Sequence, residues 1–422
     1  MSSAFQELSI SSRQYVTALA STSGQGYEND IAYEMERREL SLNDALPGLL
    51  HTVEIGTYRE DPAEDVTFSR LAVDTGSVVT WIFGEHPTLI QEGNAIERDF
   101  VRIGRKGYYT TGATQNPGEH LTIPYLEGSA VNVDLYTGPF YLRGGLKPDG
   151  SSFYVCRSPN FIFGVATAAS SHFERRRIDG ILGLGFRKTG RPQIFVNSLY
   201  QEDLIERDRF TIALGKENQT SYLIVGDNTG TAVQLNGAWS AWIPAVSSSM
   251  HWMINLESLV IGDETHDMNL RTIIDTGVWT FSDSLNFSNE GYLFAGTTYS
   301  YLPRAACEFL HKALGGQGEL SSKSLYARVQ QNMTVNFKFS GVHIVHGLAD
   351  LLDPRPNTGQ GVQGGPSAYG AFKPMRTAIF ERIPQQCCIL GNFFLRGLVV
   401  EFERTNYGTG GRVRFASRAN DI

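Results

Sequence analysis

Two short stretches of this chain share a residue order that can do chemistry: Leu71-Ala72-Val73-Asp74-Thr75-Gly76-Ser77 and Thr272-Ile273-Ile274-Asp275-Thr276-Gly277. In each, an apolar run that reads as a strand stops at an aspartate, where glycine permits close backbone approach and threonine supplies a supporting hydroxyl. Average residue usage places an isolated Asp-Thr-Gly in on the order of one chain in ten of this length. Two of them, each behind an apolar run, point to a common cause. If the turns meet across a pseudo-twofold axis, Asp74 and Asp275 sit too close to ionise together and share one proton. The ionised partner then takes a proton from a water attacking a peptide carbonyl, while the protonated partner donates toward the carbonyl oxygen. Acid and base form one coupled unit that needs no metal, no cofactor and no covalent intermediate.

The elements that must position this pair also come twice. Ile178-Asp179-Gly180-Ile181-Leu182-Gly183-Leu184-Gly185 follows the first turn, and Cys388-Ile389-Leu390-Gly391-Asn392 follows the second, so the chain reads as two copies of one lobe. A length of 422 residues exceeds the size at which one hydrophobic core stops growing. With 41% hydrophobic residues, 19% charged residues and 44 glycines, the composition suits a turn-rich β protein. Short apolar or alternating runs at 71–73, 161–165, 210–214, 222–225 and 398–402 read as strands. Residues 304–314, after Pro303, carry Ala306, Phe309, Leu310 and Leu314 near the helical period, and a short helix is also expected at 33–40. The expected division is an N-terminal extension or remnant leader at 1–49, a first β lobe at 50–230 with Asp74, a second at 231–417 with Asp275, and a tail at 418–422.

Other functions have little support. The net charge is −8 with no long basic stretch, which argues against nucleic acid; Arg175-Arg176-Arg177 reads as an exposed loop. No run approaches the ~20 apolar residues that span a bilayer, and the amino-terminal residues lack the pattern of a secretory signal. Cys156, Cys307, Cys387 and Cys388 are too few and scattered for a disulfide scaffold; the adjacent pair should face opposite sides of a buried strand start. His343 and His346 are three apart in a strand-like stretch, so they should face opposite ways rather than hold a metal. No Gly-x-Ser-x-Gly elbow offers a serine nucleophile. The triplets at Asn218, Asn286 and Asn332 matter only if the chain enters the secretory pathway.

From 50 to 417 the chain resembles the pepsin-like aspartic proteases, the fungal members most of all. The resemblance rests on both Asp-Thr-Gly turns, the run at 179–185, Ile389-Leu390-Gly391 with Phe393, Leu395 and Arg396, and a closing strand at 399–404. It implies an all-β, bilobal fold with a few short helices: two pseudo-twofold related lobes, an active-site cleft between them, a six-stranded linking sheet and a hairpin flap. The flap corresponds to 121–129, with Tyr125 at the position of the family's flap tyrosine and Leu126, Glu127 and Gly128 beside it; Trp81 matches the tryptophan that usually hydrogen-bonds that tyrosine. The hydroxyl of Ser77 should bond the outer oxygen of Asp74. What the resemblance implies for activity is endopeptidase cleavage of protein or peptide substrates at acidic pH, large apolar residues favoured beside the cleaved bond, binding of a pepstatin-type inhibitor, a monomer, and an extracellular or vacuolar location. The family's zymogens carry a basic prosegment; residues 1–44 stand in that place with Arg13, Arg37 and Arg38 as their only basic residues.

The sequence departs from this pattern at the second turn, where Val278 follows Gly277 in place of the usual threonine or serine. Deleting residues 278–296, 19 in all, would join Gly277 to Thr297 and restore both the hydroxyl and the usual strand. One reading is a translated intron; the other keeps 278–281 as the strand and extrudes the rest as a loop. Leu126 and Glu127 stand where the family has glycine and a small polar residue, and Asn392 where it often has aspartate. Two competing functions follow: a catalytically impaired pepsin-like binding protein, from Val278 and the insertion, and a two-carboxylate glycosidase.

Overall fold

The structure is a computed structural model. It describes residues 32–39, 49–56, 69–91, 94–99, 113–125, 129–146, 152–170, 173, 178–186, 192, 194–216, 221–226, 233–247, 249, 251–276, 299–316, 318–320, 325–326, 333–353, 368–370, 372–374, 387–405 and 410–419. The expectations for Arg175-Arg176-Arg177, for the three asparagine triplets and for residues 278–296 lie outside the described residues, as do residues 126–128.

The chain is all-β and bilobal, with strands that run from 2 to 19 residues. Its amino-terminal part gives β1 (Ala32–Glu39), β2 (Leu49–Gly56), β3 (Ser69–Asp74), β4 (Trp81–Gln91), β5 (Asn94–Asp99), β6 (Thr114–Pro124), β7 (Ala130–Leu146), β8 (Ser152–Ser170) and β9 (Gly180–Gly183). Helix α1 (Phe195–Gln201) then leads to β10 (Arg209–Ala213), β11 (Ser221–Val225) and β12 (Ile243–Pro244). The second part contains β13 (Met253–Ile261), β14 (Glu264–Ile274), β15 (Ser300–Leu302), α2 (Arg304–Ala313), β16 (Leu325–Tyr326), β17 (Thr334–Phe339) and β18 (Val342–Gly347). It ends with β19 (Leu352–Asp353), β20 (Ala368–Gly370), β21 (Phe372–Pro374), β22 (Cys387–Leu390), α3 (Asn392–Leu395), β23 (Leu398–Thr405) and β24 (Gly410–Ser417).

One sheet runs in the order β12-β24-β23-β10-β11-β1-β2-β3-β9-β4-β8-β7-β6, with β5 on β4, so the closing strands of the chain are sewn into the sheet of its first half. A second sheet, β18-β17-β13-β14-β22-β15-β21, carries the second turn. The expected helix at 33–40 is not formed. Residues 32–39 are a strand paired antiparallel to both β11 and β2, Ala32 opposite Ile224 and Glu39 opposite Leu49. Two neighbouring edges offer a complete ladder of backbone partners there, and tertiary pairing overrides local helix propensity.

The core beneath the first turn is aromatic. Phe140, Phe161, Phe163 and Phe195 are fully buried, with ring centroids 4.9 Å apart for Phe140–Phe161 and 5.1 Å for Phe140–Phe195. Trp252 holds the junction with the closing strands, its ring 5.2 Å from Phe402 and its indole N–H donating to the Leu184 carbonyl at 2.7 Å. The guanidinium of Arg404 ties the same junction, donating to Asp208 and to the Gly185 carbonyl, each at 2.7 Å. Asp208 also accepts from the Asn197 amide at 2.7 Å, so the pair is embedded in further hydrogen bonds, while the buried Arg404 Nε has no hydrogen-bond partner among the described residues.

Candidate active site

Each aspartate sits where a strand leaves its sheet, beside the glycine-bearing strand of the same half. β3 runs parallel to β9 with Asp74 opposite Gly183, and β14 runs parallel to β22 with Ile274 opposite Leu390. The Leu184 N–H donates to the Asp74 carbonyl at 2.8 Å, and the Asp275 N–H donates to the Leu390 carbonyl at 3.1 Å. The duplicated pair of sequence signatures is therefore one repeated structural unit: an aspartate strand braced in parallel by an apolar strand ending in glycine. The glycines of the first unit are required by close approach. A Cβ on Gly183 would stand 2.8 Å from the Val79 backbone, and one on Gly185 would stand 2.7 Å from the Ser77 carbonyl oxygen.

The two turns meet. Thr75 donates its hydroxyl to the Ile274 carbonyl at 2.9 Å, and Thr276 donates its own to the Val73 carbonyl at 3.2 Å. Each hydroxyl also accepts the other's backbone N–H: Thr276 N to Thr75 Oγ1 is 2.9 Å and Thr75 N to Thr276 Oγ1 is 3.3 Å. This reciprocal lock was not foreseen in detail from the sequence. The signal for it was the identical threonine after each aspartate.

Held by that lock, Asp74 and Asp275 are both buried, and the Asp275 side chain acts on the titration of Asp74. Asp74 accepts the Gly76 N–H at 2.7 Å and the Ser77 N–H at 3.1 Å on Oδ1, and the Ser77 hydroxyl at 2.7 Å on Oδ2. Burial raises the Asp74 carboxyl above the ordinary aspartate value; the Ser77 hydroxyl, the two N–H donors and Asp275 oppose that rise. A buried carboxyl pair of this kind can hold one proton and present acid and base to one water.

The remaining predicted residues fall as follows. Trp81 donates its indole N–H to the Tyr125 hydroxyl at 2.8 Å, and both rings pack on Phe173, at 5.5 and 5.4 Å. Tyr125 closes the hairpin of β6 and β7 by donating its N–H to the Ser129 carbonyl at 2.8 Å; Leu126, Glu127 and Gly128 lie outside the described residues, as does Gly277. Asn392 is buried and donates to the Thr276 carbonyl at 3.5 Å. His343 is exposed and His346 buried, on opposite faces of β18. The Cys388 thiol is pushed up to about 12, chiefly by burial, which makes it a poor nucleophile.

Beyond the turns, the two units come back into register after different lengths of chain. In the first half Trp81 pairs with Ile181, and the Gly183 N–H donates to Thr80 Oγ1 at 3.1 Å. In the second Tyr301 pairs with Ile389, and the Gly391 N–H donates to Ser300 Oγ at 3.3 Å. Trp81 lies 7 residues after Asp74, whereas Tyr301 lies 26 after Asp275. The excess is 19 residues, the length of 278–296, and the strand of the second unit is β15.

Comparison with known proteins agrees with this architecture. The profile of the family described as eukaryotic aspartyl protease matches residues 50–417. Syncephapepsin from Syncephalastrum racemosum is 27% identical over 235 residues, an alignment covering 54% of this chain and 50% of that protein; the chain thus spans about half the length of this curated relative. With the profile covering most of the sequence and the two braced aspartate turns in place, the chain belongs to the eukaryotic aspartyl protease family.

Proposed function

We propose that the protein is an aspartic endopeptidase in which Asp74 and Asp275 share one proton and activate a water against an internal peptide bond. The observation that supports this reading is the burial of both carboxyls at turns joined by the reciprocal threonine hydrogen bonds. The member of the pair that is ionised accepts a proton from water as the oxygen attacks the scissile carbonyl, and the protonated member donates toward the carbonyl oxygen. The tetrahedral diol then collapses as one carboxyl protonates the departing amine and the other takes a proton from a diol hydroxyl, which returns the pair to its single proton. Thr75 and Thr276 keep the carboxyls together, and Ser77 orients Asp74. Tyr125, at the end of the β6–β7 hairpin, is on this reading the side chain that contacts a bound peptide.

Cleavage of a denatured protein at roughly pH 3–5, abolished by a pepstatin-type inhibitor, is the expected result. Inhibitor-insensitive cleavage, or none, overturns the endopeptidase reading. A second reading, a peptide-binding protein with little turnover, is favoured by the chain order at the second turn, where Val278 follows Gly277. It predicts inhibitor binding, measured by calorimetry, without hydrolysis.

A further inference from the structure

Ala130, the first residue of β7, stands where the regular strand pairing of the hairpin runs out. On one side Pro124 of β6 lies opposite it and has no N–H to give. On the other side the ladder between β7 and β8 begins one residue later, with Val131 opposite Ala169. Both polar groups of Ala130 are taken instead by one side chain. Its N–H donates to Ser170 Oγ at 2.8 Å, and the Ser170 hydroxyl donates to its carbonyl at 3.1 Å. A hydroxyl can do both because it carries a donor and acceptor lone pairs on one atom.

The clamp acts next to the tyrosine of the hairpin. The Ser129–Ala130 peptide group is held at both ends: its carbonyl, from Ser129, accepts the Tyr125 N–H at 2.8 Å, and its N–H, from Ala130, is the one given to Ser170. Tyr125, peptide group and serine are thus bonded head to tail, an arrangement in which each bond polarises the next. Ser170 is itself buried at the end of β8, where its backbone pairs with Ile90 of β4, so the hydroxyl projects from a strand inside the sheet rather than from the hairpin it holds. Phe173, three residues further on, is the ring against which Tyr125 and Trp81 pack, at 5.4 and 5.5 Å. Ser170 therefore fixes the backbone at Tyr125 while Trp81 and Phe173 fix its ring.

We infer that Ser170 is a positioning residue for Tyr125, acting through the Ser129–Ala130 peptide group to hold the end of the β6–β7 hairpin in place. The inference rests on the reading of Tyr125 as the side chain that contacts a bound peptide, and its test has an arm that needs no turnover. Two variants separate the hydroxyl from the space it fills: Ser170→Ala removes it, and Ser170→Thr keeps it.

With alanine- and tyrosine-selective 15N labelling, the Ala130 and Tyr125 amides are expected to exchange with solvent about tenfold faster in Ser170→Ala and to return toward the parent rates in Ser170→Thr. On a peptide substrate KM rises about fivefold in Ser170→Ala, with kcat changed less than about twofold, and recovers in Ser170→Thr, the pattern of lost binding rather than lost chemistry. An unchanged Tyr125 exchange rate or an unchanged KM in Ser170→Ala, or a threonine variant that matches the alanine variant in both, overturns the inference. Absence of hydrolysis in the unmodified protein, with both amides exchanging faster in Ser170→Ala, counts against the endopeptidase reading and leaves the serine clamp standing.

Discussion

The two aspartate turns are alike up to the threonine and diverge directly after it. Before that point each aspartate leaves a strand braced in parallel by a glycine-bearing neighbour, and each threonine bonds the carbonyl preceding the opposite aspartate. After it, the first turn offers Ser77 to its carboxyl within three residues, while the second reaches the equivalent strand only after 19 additional residues. The lock between the halves is set by the symmetric part. The hydrogen bonds to the Asp74 carboxyl come from the residues after its threonine, and the lock tolerates a long excursion after the second turn.

The largest effect tests whether the symmetric part is catalytic. Asp74→Asn and Asp275→Asn should each lower kcat by about 10³-fold or more, the scale of a lost acid–base group. Both should fold, with melting temperature near that of the parent, because the amide fits the same space. Retained activity in either breaks the claim that the two turns work as one unit.

The halves differ next in acid sensitivity. In the second, His346 is buried against Phe394 of α3, with ring centroids 4.7 Å apart, and its pKa is held at about 4, chiefly by burial. The fold prefers the neutral ring. Stability from this group is therefore full above the unfolded value near 6.5 and is lost as pH falls toward about 4. That shift corresponds to about 3 kcal/mol. Denaturant titrations should show His346→Leu losing about 3 kcal/mol less than the parent between pH 7 and pH 4. Asp74 has the opposite sign: its raised pKa stabilises the fold at low pH, and that contribution is lost as pH rises through its folded value.

Thr75→Val and Thr276→Val sharpen the symmetric side. Each removes a donor and an acceptor from the reciprocal lock and should cost about 2 kcal/mol. The double variant should cost less than the sum, because the two side chains share partners. Clearly unequal single costs would break the symmetry argued above.

The smallest effect addresses the asymmetric side. Ser77→Ala should lower kcat about tenfold by removing one hydrogen bond to a charged group. Deleting 278–296 brings Thr297 to the place that Ser77 holds and should raise kcat by a comparable factor of about ten. No gain on deletion would show that the segment is an accommodated loop. Sequencing the mature transcript across this junction decides its origin, since a segment present in every message is not an intron.

Much of the site was legible in the chain because its parts are local: Asp74 with Ser77, Asp275 with Thr276, and the glycine runs beside them. The β-rich character and α2 followed from periodicity, and α2 starts after Pro303 as that pattern requires. What escaped depended on partners distant in sequence. Residues 32–39 have helix-compatible composition, and only the waiting edges of β2 and β11 make them a strand. The equivalence of Ser300 with Thr80 was hidden by the 19 residues between the second turn and its strand.

The most direct test of the shared proton is a 13C NMR pH titration of the aspartate side-chain carboxyls in the protein and its two asparagine variants. Two coupled steps should appear, one above the ordinary aspartate value of about 3.9, and either substitution should replace them with a single step on the remaining carboxyl. Two independent steps near the ordinary value, each surviving substitution of the other residue, would contradict the account.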